Sequence, residues 1–102
     1  PSQLTHIPFP AKLISPLNES IINSADIVAF QWEGYDLDDD IDNYDLIIEN
    51  TSNGQEIKYE KIINQNFEVE LQIGNIYSWK ITTRDKENNL SSSVNSTFEL
   101  AN

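Results

Sequence analysis

Six aspartates fall between positions 36 and 45: Asp36, Asp38, Asp39, Asp40, Asp42 and Asp45. Hard oxygen ligands at this density suit calcium, which takes roughly six to eight oxygens. Read from Asp38, the alternation Asp38-x-Asp40-x-Asp42-Asn43, with Glu49 at the twelfth position, comes close to an EF-hand loop. It fails in three places. Asn43 stands where the loop requires glycine, Asp45 where an apolar residue belongs, and residues 44–49 alternate like a strand rather than a helix. A calcium site built differently would draw on Asp36, Asp38, Asp40 and Asp42, completed by Asp85 from a second polar loop that also carries Glu87, Asn88 and Asn89. Against it stands a solvated acidic turn, whose carboxylates are screened by water and counterions.

The remaining chemistry is thinner. His6 is the sole histidine and sits in a proline-flanked N-terminal stretch with no partner near in sequence. The serines at 91–93 therefore have no base to activate them, and nucleophilic catalysis lacks its parts. There is no cysteine, hence no disulfide and no thiolate metal site. The three glycines are scattered, so no phosphate-cradling loop exists. Paired carboxylates also serve glycosidases, but a turn supplies no cleft in which to oppose them. Trp32 and Trp79 fall in phase with apolar strand positions and read as core, while Tyr35 and Tyr59 are the candidates for exposed aromatics. The residues point to a chain that is not an enzyme.

Composition narrows the partners. Seventeen acidic against six basic residues give a net charge of −11, which repels phosphate backbones and anionic membranes. Nucleic acid is excluded; cations and cationic partners remain. No apolar run approaches the ~20 residues that span a bilayer, and the first ten residues lack the features of a signal peptide. The chain reads as a mature fragment or a piece of a longer protein, monomeric in isolation. Abundant isoleucine and asparagine, with Arg84 as the only arginine, hint at an AT-rich bacterial coding sequence. Asn-x-Ser/Thr triplets at Asn18, Asn50, Asn89 and Asn95 then arise by chance, and no Arg-Gly-Asp triplet is present.

Positioning these residues falls to strands. Segments of four to eight residues alternate apolar and polar at roughly ten-residue spacing, the pattern of an all-β sandwich. Residues 1–10 read as a linker, and residues 11–102 as one folded unit. The expected strands cover residues 12–15, 27–33, 44–49, 56–61, 67–72, 76–84 and 92–100, with Asn53-Gly54 turning the central hairpin. The last strand is expected to bury Val94, Phe98 and Leu100, and the Lys58, Glu60, Lys61 strand to form a charged edge. Val28, Phe30, Trp32, Tyr44, Leu46, Leu71, Tyr77, Trp79 and Phe98 form the expected core.

Leu71, Gly74 and Tyr77, in Leu71-Gln72-Ile73-Gly74-Asn75-Ile76-Tyr77, follow strands carrying Trp32 and Tyr44. Over residues 11–100 the sequence resembles fibronectin type III domains, with Ile73 where that family usually has proline. Leu13-Ile14-Ser15-Pro16, the aspartates between Tyr35 and Tyr44, and Thr83-Arg84-Asp85 running to Ser91-Ser92 are similar to its bacterial surface-protein branch. The resemblance implies an immunoglobulin-like antiparallel sandwich of about seven strands, with a tyrosine corner in which Tyr77 bonds backbone upstream. It also implies a non-catalytic spacer or protein-interaction module of a larger secreted or surface-anchored bacterial protein. The partners would be neighbouring domains, another protein or a glycan. The alternative is a calcium-dependent adhesion or glycan-binding module using residues 36–42 and 85–90, which the sandwich topology places at one end.

Overall fold

The computed structural model describes residues 8–23, 26–35 and 40–101. Among them are nine strands and no helix: β1 (Phe9–Ser15), β2 (Ser20–Asn23), β3 (Ile27–Tyr35), β4 (Ile41–Asn50), β5 (Glu56–Ile62), β6 (Asn66–Glu70), β7 (Asn75–Asp85), β8 (Leu90–Ser92) and β9 (Ser96–Ala101). They form two sheets. One has the order β1-β3-β6; the other runs β2-β9-β7-β4-β5, with β8 also pairing with β7.

Period-two alternation explains which faces meet. In β3, Val28, Phe30 and Trp32 are buried, while Ile27, Ala29, Gln31 and Glu33 are exposed. Leu46 and Ile48 of β4 and Tyr77, Trp79 and Ile81 of β7 oppose them from the larger sheet. Aromatic edges join the sheets: Phe30 meets Trp79 at 5.0 Å between ring centroids, and Trp32 meets Tyr44 at 5.7 Å. Such tilted pairs add to burial that stabilises by roughly 2–3 kcal/mol for each large side chain. All nine residues expected in the core are buried.

The chain crosses between sheets from β6 to β7 through Leu71–Asn75. There the Tyr77 hydroxyl donates to the Gln72 carbonyl at 3.2 Å and accepts from the Gln72 N–H at 3.1 Å. Gly74 takes a φ of +101°, a conformation most side chains resist, and its N–H donates to the Leu100 carbonyl at 2.6 Å. The β4–β5 hairpin closes at Asn53-Gly54 as expected, with Gly54 at φ +74° and its N–H donating to the Asn50 carbonyl at 2.8 Å.

Four expectations need correction. The first strand begins at Phe9, with Pro8 already buried, so residues 8–10 belong to the folded unit. A short strand, β2, follows Pro16 and pairs in parallel with β9, so the larger sheet is not wholly antiparallel. The acidic stretch ends sooner than expected, since Asp42 and Asn43 already lie in β4. Finally, the last strand is broken, and Val94 is 80% exposed rather than buried. Ser93 takes the inward place: its N–H donates to the Ile81 carbonyl at 2.8 Å, and its hydroxyl accepts from the Ile81 N–H at 2.9 Å. A side-chain oxygen thus replaces the ladder carbonyl that the break removes.

Candidate functional site

The two polar loops do meet at one end of the molecule. Ile41 of β4 lies opposite Asp85 of β7, and the Lys86 N–H donates to the Asp40 carbonyl at 3.0 Å. The register sets the backbone of Asp40 beside the turn that follows Asp85, while Asp42 lies exposed on β4 and Asp85 is buried in its own turn. Asp36, Asp38 and Asp39 lie outside the described residues.

Asp85 closes β7. Its side chain is fully buried, and both oxygens accept bonds from its own turn. Oδ1 accepts from the Glu87 N–H at 2.9 Å and the Asn89 N–H at 2.8 Å, while Oδ2 accepts from Asn89 Nδ2 at 3.0 Å. Burial disfavours its charge, but the side-chain and backbone bonds from Asn89 and the bond from Glu87 outweigh that and hold its pKa below the ordinary aspartate value. The carboxylate shapes the turn from within. Asp42, by contrast, is exposed on β4 and accepts from Asn43 Nδ2 at 3.1 Å.

Asp45 is the residue that sequence reasoning left in the acidic run without a separate role. It is buried, at 2% exposure, and Arg84 reaches it across the β4–β7 ladder. Arg84 Nη2 donates to Asp45 Oδ2 at 2.9 Å, while Nη1 donates to Oδ1 at 3.4 Å and also to Asn43 Oδ1. Asp45 Oδ1 further accepts from the Lys61 N–H at 3.2 Å. Lys61 sits in an irregularity of β5, at φ +59°, where the Tyr44–Leu46 register meets Ile62 and Tyr59. One carboxylate thus joins three strands and caps a bulge amide. The signal was present: a lone arginine and a strand-internal aspartate, both out of phase with the apolar positions.

At the same end, Phe9 stacks on Tyr35 at 5.3 Å, and both rings are exposed. The sequence singled out Tyr35 as exposed; Tyr59 is half-buried and packs on Phe67 at 4.9 Å. Trp32 and Trp79 lie in the core, each at 1% exposure.

Among the described residues, no three histidine, aspartate or glutamate side chains converge on a common point. The hollow between the sheets at the opposite end, about 190 Å³, is lined by Asn50, Gln55, Ile57 and Tyr77 and carries the single carboxylate of Glu70. Among the described residues no helix is long and apolar enough to cross a membrane.

No protein-family model matches the sequence, and none of the curated proteins is similar to it at a level that marks a relative.

Proposed function

We propose that the chain is a fibronectin type III-like sandwich that serves as a non-catalytic spacer or protein-interaction module in a larger bacterial secreted or surface-anchored protein. The observation that carries this reading is the Tyr77 hydroxyl bonded to both backbone groups of Gln72 at the crossing between sheets. That is the corner which the resemblance calls for, five residues upstream and without the customary proline. The strand order supports it: β1-β3-β6 faces a sheet running β5-β4-β7-β9-β2, and the chain passes between the sheets at β3–β4, β5–β6 and β6–β7. The use of Asp45 and Asp85 as internal staples supports the non-catalytic part, because both are engaged in holding strands and a turn.

The test is replacement within the parent protein. Deleting the segment should impair display or activity of its neighbours, and an unrelated sandwich of equal length should restore them if the segment is a spacer. Failure of the replacement to restore them would assign the interaction role instead. A deletion without effect on display, activity or partner binding would contradict both.

A second reading, a calcium-dependent adhesion or glycan site at residues 36–42 and 85–90, is favoured by one observation: the Lys86–Asp40 bond that holds the two loops together. It predicts calcium-dependent retention on a glycan array, lost in Asp42→Asn. Equal retention with calcium and with chelator would remove it.

A further inference from the structure

Strand edges expose unpaired backbone groups, and natural sheets blunt them with charges, prolines and bulges. Most edges of this molecule are blunted in these ways. β5 carries Glu56, Lys58, Glu60 and Lys61 and is bulged. β6 carries Glu68 and Glu70. β1 holds Pro10 and Lys12 and changes register twice against β3. β8 is three residues long and lies in contact with β1. β2 is the exception: Ser20-Ile21-Ile22-Asn23 has no charge, no proline and an unbroken register with β9. Among the described residues, no strand pairs with its outer edge, although the Ser20 N–H there donates to the Leu17 carbonyl at 3.2 Å.

The surface beside this edge has its own chemistry. Ile21 is 61% exposed and Ile76 is 47% exposed, and they flank Glu99, which pairs with both. Together with Glu19 and Thr97 they line a hollow of about 230 Å³ whose two charged residues are both glutamates. On the other face Ile22 packs on the margin of the core.

We propose that β2 is a docking edge for an extended, basic segment of a partner protein, which adds to the larger sheet as a further strand. Backbone pairing would supply the register. Alternate residues of the segment would be apolar, beside Ile22, and lysine or arginine, with the aliphatic stem along Ile21 and the charge toward Glu99 and Glu19. A second copy of this chain is the poorer occupant. It would bring like glutamates together on bodies that each carry a net charge of −11, within the ~10 Å over which exposed charges act. A strand of only four residues fits a transient complex rather than a permanent one.

The inference rests on reading the chain as an interaction module, yet it fails separately. Loss of peptide docking removes this surface, whereas the replacement experiment decides the module itself. The test titrates the isotope-labelled chain with a synthetic octapeptide alternating valine and lysine, followed by amide chemical shifts. A fully N-methylated peptide of the same sequence, which cannot pair through its backbone, is the control. Shifts should concentrate in residues 20–23 and 96–101 and be absent with the methylated peptide. Ile21→Lys, at an exposed site that leaves the fold intact, should weaken binding by about fivefold or more, the scale of a lost interface contact. Equal binding of the methylated peptide would reduce the effect to bulk charge attraction and overturn the proposal. So would shifts centred on residues 40–42 and 85–90, or dimerisation through β2 without peptide.

Discussion

At the scale of single residues, the acidic side chains divide by partner rather than by position in sequence. Asp45 and Asp42 are three positions apart, yet one is buried against Arg84 and the other faces solvent. Among the described residues, Arg84→Ala would leave the buried Asp45 charge with the Lys61 amide as its remaining donor. Because Arg84 is itself one-fifth exposed, the expected loss is about 2–3 kcal/mol, at or below the range for breaking a buried pair. Chemical denaturation would measure it; a change under about 0.5 kcal/mol, the scale of an ordinary surface substitution, would mean that the pair is not formed. Asp85 yields a pH dependence. Its folded-state pKa is depressed, so the unfolded chain takes up the proton first. Its contribution is fully present above about pH 4, the unfolded aspartate range, and is lost as pH falls through the lower folded value. Asp85→Asn should therefore flatten the acid limb of stability against pH. An unchanged slope below about pH 4, the unfolded aspartate range, would contradict the turn-holding role.

At the scale of elements, alternation made β3, β6 and β7 readable, because each keeps one face in the core for its whole length. The same rule misjudged Val94. Positions 94, 96, 98 and 100 are in phase on paper, but the break between β8 and β9 shifts that phase and turns Ser93 inward. β2 escaped notice because four residues with two adjacent isoleucines show no period, and its partner, β9, lies far along the chain. The two-loop cluster was legible in outline, since strand order decides which loops share an end. The Asp45–Arg84 pair showed only as two out-of-phase charges, because their meeting depends on the β4–β7 register across 39 residues. The crossing from β6 to β7 gives the element-level prediction. Tyr77→Phe removes a hydroxyl that both donates to and accepts from Gln72, so it should cost about 1 kcal/mol or somewhat more. Unfolding free energies indistinguishable from the parent chain would mean that the corner does not bear on the crossing.

At the scale of the whole molecule, a net charge of −11 sits on two sheets whose shared core is filled by aromatic and branched side chains. Gly34 shows how closely the margin of that core is fitted: a Cβ there would collide with the Tyr44 ring and hydroxyl. Charge on such a surface invites cations in general, so the question is whether any cation is part of the fold. The proposed module holds its acidic end together with its own donors, namely Arg84, Asn89 and the amides of Glu87, Asn89 and Lys61. The most direct test is equilibrium thermal unfolding of the chain in calcium and in chelator at matched ionic strength. The account predicts the same midpoint in both. A midpoint raised by calcium, and returned to the chelator value by Asp42→Asn, would contradict it and make the acidic end a metal-dependent binding site.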